Sequence, residues 1–118
     1  MQRDDLRTAG QMLDAVVQLR RVVAGRSRGT FVADEVCYLA VLHLQQTIGE
    51  AANRTSLGLR AAHPDIPWAG IIAMRNRIVH GYGDVNDDLV WHAASEGIER
   101  LLPALERIVP PNPESLMP

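Results

Sequence analysis

The sequence predicts an all-α protein, an up-and-down bundle of four to five helices. Three observations carry this. Apolar residues recur at three- and four-residue steps through most of the 118 residues, the spacing of a helix with one buried face. Nowhere do Val, Ile and Leu alternate with polar residues over the length of a strand. Breakers rich in Gly, Pro and Asn, at residues 25–29, 63–67 and 81–86, cut the apolar pattern into four stretches that short loops can join. Residues 1–109 read as one helical domain and 110–118 as a flexible Pro-rich tail.

The first stretch spans about residues 4–23, with Leu6, Ala9, Leu13, Val16, Val17 and Val23 on one stripe. The second is long, about residues 31–62. Val36, Leu39, Ala40, Val41, Leu42, Leu44 and Ile48 cover much of its circumference, as expected of a central helix or of one facing both a core and a partner chain. Asp65 is the expected N-cap of the third stretch, with Pro67 in its first turn. Ile71, Ile72, Met74, Ile78 and Val79 are its apolar positions, and Gly81 and Gly83 stop it near Val79 or His80. Asn86 caps the fourth stretch, with Asp87 and Asp88 near its positive end. Ala94, Ile98, Leu101, Leu105 and Ile108 form its stripe, and Pro103 should kink it or split off a short final helix.

Composition narrows the function. The net charge is -2, so no global basic field attracts phosphate, and an RNA substrate would need a local Arg cluster. All 12 basic residues are Arg. The single cysteine, Cys37, excludes an intrachain disulfide and falls in an apolar helical run, where it reads as a small core residue. No apolar run approaches the length of a membrane span, and residues 1–9 lack the apolar centre of a signal peptide, so a cytoplasmic location is expected. His43, His63 and His92 have no metal-ligand spacing, so neither a metal nor another cofactor is expected. Trp68 and Trp91 read as core or interface anchors.

The chemistry concentrates in Arg75-Asn76-Arg77-Ile78-Val79-His80-Gly81-Tyr82-Gly83. RNA can be cut by its own 2′-hydroxyl if a group assists proton transfer and another stabilises the crowded phosphate. Histidine titrates near neutrality and can do the first. Arginine stays charged and matches phosphate oxygens with its fork of donors. Five residues along a helix correspond to a turn of about 140°, so Arg75 and His80 of one chain do not converge by sharing a helix. Either the helix ends before His80, or two copies each lend residues to one cleft. The Arg–His spacing alone is weak, since roughly 0.4 such pairs arise by chance at this composition; requiring Asn76 and Tyr82 as well lowers that to the order of 10⁻⁴.

Arg75, four residues, His80, one residue, Tyr82 resembles the signature of HepT-like toxins of the HEPN superfamily. Ile48-Gly49-Glu50-Ala51-Ala52, Ile66-Pro67-Trp68 and Leu89-Val90-Trp91 resemble segments of the same proteins, so the likeness covers about residues 31–91; the first helix and the tail match only in character. The resemblance implies an all-helical domain dimerising through the motif-bearing helices, sometimes into larger assemblies. It implies a metal-independent endoribonuclease with a composite site at the dimer cleft, the toxin of a type VII-like toxin–antitoxin system. Its antitoxin would be a minimal nucleotidyltransferase that transfers AMP to Tyr82. Arg75, His80 and Asn76 are then the catalytic residues, with Arg77 and Glu50 as candidates for steering substrate or orienting Arg75.

The alternative is a non-catalytic helical binding subunit of the nucleotidyltransferase, which the charge of -2 favours. A purely structural dimer, with the motif as a mere helix end, is a third reading. Singly, His80 suits a helix C-terminus, Arg77 a solvated surface, Tyr82 a turn and Glu50 an exposed helix face.

Overall fold

The computed structural model describes residues 2, 4–81, 83 and 85–110. Tyr82 and the tail from residue 111 onward lie outside the described residues. The chain forms α1 (Asp5–Val23), α2 (Arg28–Ala33), α3 (Glu35–Arg54), α4 (Leu57–Ala62), α5 (Trp68–His80), α6 (Asp87–His92), a π-helical turn (Ala93–Gly97) and α7 (Ile98–Glu106). The last three are continuous, so four long rods make the bundle and α2 and α4 are short connectors. No strand occurs among the described residues.

The long second helix of the sequence reading is three helices. Asp34 takes an extended conformation and its carboxylate accepts the Cys37 N–H at 3.2 Å, starting α3 afresh. Thr55 and Ser56 are extended as well, and Ser56 caps α4 by accepting from the Leu59 N–H at 3.1 Å. Short polar side chains offered the backbone an alternative to the helical ladder, and at both points it was taken. The first helix begins and ends as expected, but Leu6 is exposed; Ala9, Met12, Ala15, Val16, Leu19 and Val23 form its buried stripe.

α3 is central. It packs on α1 and on α5, and Val41, Leu42, Ala51 and Ala52 are fully buried. Cys37 is buried with them. Trp91 stacks on Phe31 at 5.3 Å between centroids, and the Trp68 indole donates to the His63 carbonyl at 2.9 Å. α5 leans on α3 and makes few other helix contacts.

The ends of α1 and α3 are tied by a buried carboxylate. Asp5 is only 2% exposed and accepts from the Ser56 hydroxyl at 2.6 Å and from the N–H groups of Ser56 and Gln2, each at 2.9 Å. The Ser56 hydroxyl, and then the two backbone donors, hold its pKa below the usual 3.8 against the opposing effect of burial.

The N-terminus of α5 departs from expectation. Pro67 occupies the N-cap position, just before the first turn, and no side chain caps the helix. Asp65 pairs instead with Arg107 at 2.8 Å, joining the α4–α5 loop to the end of α7. Asn86 does cap α6, accepting from the N–H groups of Asp88 at 2.9 Å and Leu89 at 3.2 Å. Pro103 neither ends nor splits α7. The carbonyl that loses its helical donor there belongs to the exposed Glu99, where water can take it. The irregularity of this rod lies earlier, in the π turn.

Candidate active site

α5 presents the motif. Its helical hydrogen bonding continues through His80 and stops at Gly81, whose N–H donates to the Arg77 carbonyl and whose φ of 152° suits a residue without Cβ. An early helix end, one of the two ways to bring Arg75 and His80 together, is therefore not adopted. The two side chains leave α5 about 140° apart. Arg75 turns toward α3 and is partly buried; His80 is exposed at the end of the helix. Asn76 shares the His80 face, four residues earlier, and is exposed like Arg77.

Arg75 is seated by α3. A Cβ on Gly49 would lie 2.2 Å from the Arg75 Cβ and 3.1 Å from the Ile71 carbonyl oxygen, so only glycine lets the helices approach this closely. The guanidinium Nη1 donates to Asn76 Oδ1 at 3.0 Å. Its Nη2 stands 4.0 Å from Glu50 Oε1, which accepts from Gln46 Nε2 at 3.0 Å. Arg75 Nε is buried without a hydrogen-bond partner. Glu50 thus faces Arg75, as a residue orienting it would, but across an outer-limit contact between side chains 39% and 29% exposed. At that exposure it contributes at most about 1 kcal/mol. The site consists of a cation held at its edges, with one buried donor unspent and an oriented amide beside it.

Sequence reasoning singled out Arg75, Asn76, Arg77, His80 and Glu50, and α5 and α3 carry all of them. The structure adds Gly49 and Gln46. A glycine inside a strongly helical stretch costs about 1 kcal/mol relative to alanine, and that cost was the available signal for Gly49. Gln46 had none. His43 and His92 are at the surface and His63 is half-buried; among the described residues no three potential metal ligands cluster. Asp87 and Asp88 serve packing: Asp87 accepts from the Tyr38 hydroxyl at 2.7 Å, and Asp88 pairs with Arg28.

The family model described as ribonuclease HepT-like matches residues 12–108, which include every element from α3 to α7. The chain belongs to the HepT-like family. A Thermococcus cleftensis protein named "Probable ribonuclease HepT" is 24% identical over 106 residues, covering 90% of this chain and 94% of that one. A Caldanaerobacter subterraneus protein named as an RNase is 34% identical over 87 residues, 74% of each chain. A similarly named Methanocaldococcus jannaschii protein is 24% identical over 79 residues, 67% of this chain and 65% of its own. No solved structure matches the chain significantly. Membership in the HepT-like family agrees with the all-helical fold and with the motif on α5. No helix among the described residues is long and apolar enough to cross a membrane.

Proposed function

We propose that this chain is a metal-independent endoribonuclease acting as a homodimer, with Arg75, Asn76 and His80 of two chains lining one cleft. The observation that carries this reading is the divergence of Arg75 and His80 on an unbroken α5. A two-fold axis beside α5 places the Arg75 of one chain near the His80 of the other. Exposed apolar side chains support an interface there. Val79 follows Arg75 by one turn and is 50% exposed; on α3, Val36 is 80% and Leu39 41% exposed, on the face that leads to Gln46 and Glu50.

The reaction needs no group beyond these residues and RNA. The 2′-oxygen attacks the adjacent phosphorus, its proton passing to a base; the 5′-oxygen leaves and takes up a proton. The products are a 2′,3′-cyclic phosphate and a 5′-hydroxyl. His80 serves in proton transfer. Arg75 stabilises the negative charge on the phosphoryl oxygens through the exposed part of its guanidinium, the side chain being 29% exposed. Asn76, on the His80 face, orients the imidazole or holds substrate, and Arg77 steers the backbone.

In the same reading the enzyme is the toxin of a toxin–antitoxin pair in the cytoplasm. A minimal nucleotidyltransferase silences it when the Tyr82 oxygen attacks the α-phosphorus of a nucleoside triphosphate and pyrophosphate leaves. The resulting phosphodiester carries one negative charge, which competes for Arg75 and repels the RNA backbone.

Mixed dimers test the shared cleft. Arg75→Ala and His80→Ala chains should each be inactive on total RNA. Unfolded and refolded together at equal amounts, they should recover roughly a quarter of wild-type activity, because half the dimers then hold one intact site. A mixture as inactive as its parents rules out the shared cleft. Intact RNA after treatment with a folded wild-type dimer favours the binding-subunit alternative.

A further inference from the structure

The guanidinium that RNA cleavage would use has a carboxylate for a neighbour. Glu50 Oε1 stands 4.0 Å from Arg75 Nη2, and both side chains are partly exposed. Arg75 is the fixed member of the two. Its Cβ sits against the notch at Gly49, and its Nη1 donates to Asn76 Oδ1 at 3.0 Å. Glu50 is the member that can move: a swing of about 1 Å would bring its carboxylate to the roughly 2.8 Å of a charge-assisted hydrogen bond. An arginine paired that closely offers fewer donors and a weaker field to an incoming phosphate. Gln46, one turn earlier on α3, donates its Nε2 to the same Glu50 Oε1 at 3.0 Å. An ionised carboxylate only accepts, so the amide nitrogen is the atom that faces it. Arg54, one turn later, is placed to compete for Glu50 but reaches across to Gln11 Oε1 on α1 at 3.4 Å. Among the described residues no side chain other than Gln46 and Arg75 stands ready to donate to Glu50.

We infer that Gln46 is a positioning residue for RNA cleavage: by occupying Glu50 it keeps the Arg75 guanidinium open to phosphate. The inference rests on the nuclease reading proposed above. Glu50 is then a rival of the phosphate built into the site, and the Gln46 amide is what holds it off. Gln46 carries no charge and neither attracts nor repels the RNA backbone itself. Its effect passes wholly through Glu50, so it vanishes when Glu50 has no charge to pair with Arg75.

The test is a double-mutant cycle at positions 46 and 50 in the full chain. The binding probe is a short RNA with 2′-O-methyl groups, which its own sugars cannot cut, so affinity is read apart from chemistry. Gln46→Leu should bind it about three- to fivefold more weakly than wild type, the scale of one partly exposed ion pair formed in competition. On unmodified RNA the same variant should raise KM by a like factor and leave kcat nearly unchanged. Glu50→Gln should bind at least as tightly as wild type, and the double variant should match Glu50→Gln. A crystal structure of Gln46→Leu should show the Glu50–Arg75 gap closed from 4.0 Å to about 2.8 Å. A Gln46→Leu chain that binds like wild type overturns the inference. So does a double variant as weak as Gln46→Leu, the mark of a merely structural Gln46. Weaker binding by Glu50→Gln than by wild type overturns it as well, because Glu50 would then aid Arg75. Wild type that leaves unmodified RNA whole defeats the nuclease reading and this inference together, whereas a failed cycle on an active wild type defeats the inference alone. Gln46→Ala serves the same cycle if the leucine variant fails to fold.

Discussion

Two polar clusters sit between helices in this protein, and they are finished differently. At one end Asp5, 2% exposed, receives three donors within 2.9 Å and is held ionised by them. Along the α3–α5 contact Arg75 is seated by a steric notch at Gly49, yet its Nε is unpaired and Glu50 stays at 4.0 Å. A buried charge with every valence met stabilises a fold by fastening two elements. A cation held by packing, with one buried donor unpaired, gains little for the fold, and its exposed part is available to an anion from outside. The first cluster reads as a latch and the second as a site.

The sharpest way to break this contrast is to remove Arg75 in a shape-preserving way. Arg75→Met should lower RNA cleavage by about 10²–10³-fold while leaving thermal unfolding unchanged or slightly raised, since it deletes an unsatisfied donor. Unfolding that drops sharply, with activity per folded molecule retained, would make Arg75 a second latch. Next in size is Gly49→Ala. Its methyl would meet the Arg75 Cβ, which lies too near the backbone to swing aside, so α3 and α5 must separate. We expect a loss of about 1–3 kcal/mol in denaturant unfolding, with cleavage reduced beyond what the unfolded fraction explains.

Asp5→Ala should cost about 1–3 kcal/mol in the same measurement, and activity per folded molecule should not change. A pH series sharpens this. The Asp5 pKa lies lower in the fold than in the unfolded chain, so its contribution is fully present above the usual 3.8 and fades as the pH falls through the folded value. Wild type should therefore lose its advantage over Asp5→Ala in acid, below about pH 3.8, and keep it undiminished at neutral pH. The smallest effect belongs to Glu50→Gln. Its contact with Arg75 is long and partly exposed, so unfolding should move by less than about 1 kcal/mol. A larger change would show that Glu50 fastens Arg75 after all and would erase the distinction between the clusters.

Much of the molecule was legible beforehand. The all-helical class followed from periodicity alone, because a 3.6-residue apolar repeat has no use in a sheet. Asn86 was recognisable as a cap because its side chain acts on the backbone two and three residues ahead, a purely local event. Arg75, Asn76 and His80 were recognisable by residue type and spacing. Asp34 and Ser56 were not seen as helix breaks, since apolar spacing runs through both and hides the caps. Asp65 had the form of a cap but found Arg107, which lies 42 residues away. Met12 and Leu19 replaced Leu6 on the buried stripe of α1 because the neighbouring helices decided which of two overlapping apolar stripes faced inward.

By itself, then, the sequence determined the helical rods, most of their ends and the chemical identity of the motif. These depend on interactions within a few residues, which one-dimensional order encodes directly. Only the tertiary structure decided that α5 stays helical through His80, that Gly49 makes the notch for Arg75, and that Asp5 finds Ser56. Each of these joins residues distant in the chain or fixes the direction of a side chain, and close packing between helices sets such relations only once the elements have met.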